Sequence, residues 1–176
     1  MKLQVFSILG LLFLSVGLAG CKTNEQSPSS EKETTQTMTA EQTEPQLLAS
    51  IERTACYGQC PMYKATFLDN GQLIYVGKRF VEKLGTYEGL LSEEEVLEIR
   101  NKIVEYRYFE LDSLYPTPIS DFPSCHTEVQ LNGKRKKVID RRNPPENLRS
   151  FEKFLDSFLI ERDLTKVSDE TNYLKH

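Results

Sequence analysis

Two Asn-Gly pairs, Asn70-Gly71 and Asn132-Gly133, each sit between short segments in which apolar residues recur at every second position. Before the first pair, Tyr63, Ala65 and Phe67 share one face of a strand predicted over 62–68, and the chain returns over 72–76. Around the second, Thr127, Val129 and Leu131 alternate, and 136–139 runs back with a basic outer face. Asn and Gly tolerate the positive φ that tight hairpin turns demand, so both pairs predict antiparallel hairpins. A one-residue slip would turn every apolar side chain to water, so the pattern fixes the register and requires something to cover one face. Residues 47–53 and 84–90 are further strand candidates.

Two amphipathic segments supply that cover. Ser92 with Glu95 three residues on makes a capping box, and Val96, Ile99, Ile103 and Tyr106 follow at helical spacing, which predicts a helix over about 92–106. Asn143 is the expected cap of a second helix, with Pro144 in its first turn and Leu148, Phe151, Leu155, Phe158 and Leu159 as its apolar stripe. Strands, helix, hairpin and helix in that order predict an α+β fold: an antiparallel sheet of about five or six strands with two helices packed on one face. The periodic residues lie within 47–164, one domain of ordinary size.

The ends of the chain read differently. Lys2 and the apolar run over 5–14 have the form of a signal peptide, too short for a membrane span. The run closes on Leu18-Ala19-Gly20-Cys21, which resembles the lipobox of bacterial lipoproteins. The resemblance implies removal of residues 1–20 and lipid on Cys21, whose two or three acyl chains would anchor the chain stably in a membrane. Residues 22–46 are Ser, Thr, Gln, Glu and Lys with almost nothing apolar, the composition of a disordered tether. As a flexible coil they would reach about 25–30 Å on average. Lys22 and Glu25 resemble the charged signals that direct some Bacteroidota lipoproteins to the outer face of the outer membrane. The expected location is therefore the cell envelope, lipid-anchored in the outer membrane on its periplasmic or surface face. Residues 165–176 are expected to be a polar, frayed tail. The formal net charge is −4, or −5 once Lys2 is removed, which argues against nucleic acid as a partner.

The densest cluster of chemistry is Cys56-Tyr57-Gly58-Gln59-Cys60-Pro61-Met62-Tyr63. Cysteine, aromatic, glycine, any residue, cysteine, proline, any residue, tyrosine resembles the signature of an uncharacterised domain family common in Bacteroidota lipoproteins. The likeness continues through Asn70-Gly71, the Ser92 helix and Asp121-Phe122-Pro123, over roughly 50–160. It implies an extracytoplasmic lipoprotein domain and no known activity. In an oxidising envelope a turn at Gly58 lets Cys56 and Cys60 pair, the pairing favoured because the family-like motif holds both. With Cys21 lipidated three cysteines remain, so a bridge from Cys56 or Cys60 to Cys125 stays open.

The loop over 112–124 carries three prolines and is expected to bring Asp121, Cys125 and His126 together as a candidate binding loop. No elbow or oxyanion device accompanies Ser120 or Ser124, and no complete catalytic constellation is legible, so no cofactor and no metal site is assigned. Lys134 to Lys137 with Arg141 and Arg142 read as the solvated face of an edge hairpin, or else a site for phosphate or an acidic glycan. Two functions remain: a non-enzymatic envelope binding or accessory module for an unknown protein or glycan, and a thiol redox or copper-handling protein using Cys56, Cys60 and His126. The second has the right soft ligands, but Pro61 leads into a strand where a thioredoxin-like site opens a helix.

Overall fold

The computed structural model describes residues 44–160 and 162–171. The expected signal peptide, Cys21 and most of the tether lie outside the described residues, as does the end of the tail. Strands β1 (Leu47–Arg53), β2 (Met62–Leu68), β3 (Gln72–Arg79) and β4 (Gly85–Leu90) come first, followed by helix α1 (Glu93–Glu105) and a 3₁₀ turn at Tyr108–Glu110. Then come β5 (Leu114–Tyr115), β6 (Cys125–Leu131), β7 (Lys134–Asp140), helix α2 (Glu146–Ser157) and β8 (Thr165–Ser168). They form one sheet in the order β5-β7-β6-β1-β2-β3-β4-β8, antiparallel except for β5 against β7.

Eight strands replace the expected five or six. The two additions are short, and neither carries the alternation by which a strand is recognised. β5 is a two-residue pairing inside the proline-rich loop, and β8 is the polar segment Thr-Lys-Val-Ser, expected to fray. It pairs with β4, and the Thr86 hydroxyl donates to the Glu170 carbonyl at 2.7 Å.

The hairpins form where the Asn-Gly pairs predict, by two different turns. Asn132 and Gly133 both take positive φ (51° and 74°), giving a two-residue turn. At the first hairpin only Gly71 does (89°), and the Gly71 amide donates to the Leu68 carbonyl at 3.1 Å, giving a three-residue loop.

One sheet face is covered. Ala65, Phe67, Leu73, Val129 and Val138 pack with Ile99 and Ile103 of α1 and Leu148, Phe151 and Leu155 of α2 in a single core. Tyr108 is wholly buried, its hydroxyl 2.7 Å from the Thr127 hydroxyl. The Ser92 capping box is present in full. The start of α2 is a correction: Asn143 sits at positive φ (53°) and Pro145 is the N-cap. A proline disfavours helical geometry in the residue before it, so Pro145 keeps Pro144 extended and moves the first turn downstream. Lys136 is a second correction to the idea of a uniformly solvated basic face. Its ammonium group donates to the Phe109 carbonyl at 3.0 Å and to that of Leu111, holding the 3₁₀ turn.

Candidate functional site

Alternation along β1 puts Arg53 on the same face as Ala49 and Ile51, so an arginine arrives at the edge of an apolar surface. The register sets Arg53 beside Tyr63 of β2 and Cys125 of β6, and Cys125 beside Asp140 of β7. Four strands thus contribute a row, Tyr63, Arg53, Cys125, Asp140, across one end of the core face. Over it α2 lays Glu152 and Asp156, four residues apart and therefore on one side of the helix.

These groups are tightly coupled. Arg53 Nη2 and Nε donate to Asp156 Oδ2 at 2.5 and 3.1 Å, Nε also approaches the Tyr63 hydroxyl at 3.2 Å, and that hydroxyl donates to Asp156 Oδ1. Glu152 lies 3.8 Å from Arg53, its side chain only 7 % exposed. Burial, outweighing the attraction of Arg53, pushes the Glu152 carboxyl up to about 7, and burial raises that of Asp140 as well. Among the described residues Glu152 Oε1 and Asp140 Oδ1 are buried without a hydrogen-bond partner. Desolvation, reinforced by the Glu152 charge, raises the Cys125 thiol far above its ordinary range, which makes it a poor nucleophile.

Above this row opens a cavity of about 430 Å³. Arg53, Cys125 and Asp140 reach it from the sheet, Cys60 and Pro61 from the cysteine loop, and Phe122 and Pro123 from the proline-rich loop. Arg141, Arg142, Asn143 and Pro144 close it on the side where β7 hands over to α2. Its walls are fastened to one another. The Thr54 amide donates to the Ser124 carbonyl at 3.0 Å, and the Ser124 amide donates back to the Thr54 hydroxyl at 2.9 Å. Arg141 Nη2 donates to the carbonyls of Ser120 and Ile119 at 2.8 and 3.1 Å, while the Arg142 guanidinium lies 5.9 Å from the centre of the Phe122 ring. The cavity is at the far end of the sheet from Leu47, the first residue of β1. The chain enters at Leu47, where the Gln46 amide donates to Asp69 Oδ1 at 2.9 Å, and the seven residues of β1 carry it on the order of 20 Å to Arg53.

Cys56 and Cys60 are bonded to each other with Cα atoms 5.7 Å apart, and among the described residues Cys125 is the free cysteine. Asp121, Cys125 and His126, expected together, go three ways. Asp121 is exposed, accepts from the Ser120 hydroxyl at 3.3 Å and borders a shallow recess with Tyr57 and Cys56. Cys125 points into the core. His126, next along β6, points to the opposite face, within 3.0 Å of the Ser124 hydroxyl, and burial with the Lys137 charge lowers its pKa. Among the described residues no three His, Cys, Asp or Glu side chains are arranged to hold a metal. Lys134 to Lys137 and Arg141 with Arg142, one basic run in the sequence, separate to opposite ends of β7, and only the arginines reach the cavity.

Sequence reasoning missed Arg53, Asp140, Glu152 and Asp156. Their signal was present: Arg53 continues the inward alternation of β1, and Glu152 interrupts the apolar stripe of α2 one position after Phe151.

The family model described as Domain of unknown function (DUF6438) matches residues 48–159. No curated protein matches the chain.

Proposed function

Because the chain belongs to the DUF6438 family, and the shared span contains every residue that walls the cavity, we propose that it is a membrane-anchored envelope lipoprotein whose domain is a non-enzymatic binding module. The cavity at the cysteine-loop end is the binding site. The observation that carries this reading is the placement of that cavity. Three separate loops are bonded together around it, at the end of the sheet farthest from the point where a lipid tether would join. A ligand or partner would meet this end first, with the tether at its back. The bonds from Arg53 to Asp156 and Tyr63 fix the one member of this half-buried network that lines the cavity, and preorganised walls lose little freedom on binding.

The alternative, thiol redox or copper handling through Cys56, Cys60 and His126, has less support. The two sulfurs are joined, His126 is on the opposite face from Cys125, and the remaining thiol is held protonated by burial. The test is photo-crosslinking in intact cells, with a photoreactive phenylalanine analogue at position 57, whose Tyr57 side chain is 94 % exposed at the loop tip. The control places it at position 90, where Leu90 is also exposed, at 73 %, and lies at the Leu47 end of the sheet. A discrete adduct from position 57 alone is expected. Identical patterns from both positions would reject the site.

A further inference from the structure

The net charge of the chain is −4, yet the cavity is walled by three arginines against a single carboxyl group. The three are not equivalent. Arg53 is committed to Asp156 and Glu152. Arg141 uses one terminal nitrogen to hold the carbonyls of the proline-rich loop. Among the described residues no carboxylate lies within ion-pair distance of Arg142, whose guanidinium lies 5.9 Å from the centre of the Phe122 ring. Arg142 is exposed, so its guanidinium is open to a ligand, and a guanidinium fork suits carboxylate or phosphate oxygens.

The other lining groups narrow the ligand. The Thr54 and Ser124 hydroxyls are bonded to each other, 2.9 Å apart, which leaves the Asn143 amide to give and take hydrogen bonds and Asp140 as an acceptor in the same wall. Phe122, 38 % exposed, and the prolines at 61, 123 and 144 supply flat apolar surfaces. Hydroxyls that both give and take hydrogen bonds, together with C–H faces that lie on rings, are the complement of that lining. At about 430 Å³ the cavity falls within the range of small-molecule sites, roughly 300–1,000 Å³.

We propose that the cavity takes a small hydroxylated molecule of the sugar-acid or sugar-phosphate type, its anionic group held by Arg142 and its ring lying against Phe122. The proposal rests on the binding reading above and specifies its ligand.

Calorimetric titration of the full-length protein in detergent tests it, with glucuronate and glucose 6-phosphate as probes and glucose and inorganic phosphate as controls. At least one acidic sugar should bind about tenfold or more tightly than glucose, and Arg142→Gln should remove that advantage without changing the melting temperature. Phe122→Ala should weaken the acidic sugar further. Which of the two acids binds identifies a carboxylate or a phosphate source. The proposal is overturned if glucose binds as well as the acids, if inorganic phosphate alone binds, if neither acid gives heat, or if Arg142→Gln binds as the parent does. Crosslinks from position 57 without acidic-sugar binding would remove this inference and keep the binding site. Loss of the position-specific crosslinks would remove both.

Discussion

Glu152 sits among Leu148, Phe151 and Leu155, in a position where the helix pattern calls for an apolar side chain, and its cost varies with pH. Its carboxyl is raised from 4.5 to about 7 in the fold, so between those values the native state holds a proton that the unfolded chain releases. Stability from this group is therefore intact below about 4.5, declines as pH rises, and reaches its full loss above about 7. Glu152→Gln should raise stability at pH 8 by roughly 1–3 kcal/mol, and by much less at pH 5. Urea denaturation at the two pH values checks this, and an equal change at both would dismiss the titration account. Asp156 is the opposite case, since it neutralises Arg53 and accepts from Tyr63. Asp156→Ala should cost about 2–4 kcal/mol, because a half-buried guanidinium and a buried phenol lose their partner together.

At the scale of elements, β8 and the cysteine loop carry the most pointed expectations. β8 covers the edge of β4 so closely that a Cβ on Gly85, where φ is 101°, would stand 2.5 Å from the Ser168 carbonyl oxygen. A domain cut at 164 leaves that edge bare and the buried Thr86 hydroxyl without the Glu170 carbonyl. Residues 44–171 should therefore be more stable than 47–164 by roughly 1–3 kcal/mol in denaturant melts, a difference absent if β8 contributes nothing. The Cys56–Cys60 ring is small, so loop-closure entropy gives it only about 2 kcal/mol or less. Cys56→Ala combined with Cys60→Ala should lower stability by that amount. Its second effect should be on the cavity, where Cys60 and Pro61 form a wall.

For the whole molecule, the test that matters most is whether a lipid holds it. Intact mass of membrane-purified protein should show diacylglycerol on Cys21 as the first residue, and Cys21→Ser should leave precursor or release the protein from the lipid phase. A free, unmodified Cys21 amine would remove the anchor and with it the meaning of a membrane-distal cavity.

The sequence alone determined the core of this fold because its signals are local. A hairpin needs only alternation and an Asn-Gly turn, a helix start needs only Ser92 and Glu95, and the core face follows from period. A pattern within one segment suffices for each. The polar cluster that includes one wall of the cavity is a different kind of object. Arg53, Tyr63, Cys125, Asp140 and Asp156 are brought side by side by register across four strands and by the placement of one helix, with separations in sequence of up to 103 residues. The same physics split groups that are neighbours in the chain, sending Cys125 to the core and His126 to the other face. Pairing register and helix docking are properties of the assembled sheet, so only the tertiary structure decided which charges would be buried together and, among the described residues, which arginines of the cavity would be tied to carboxylates or carbonyls.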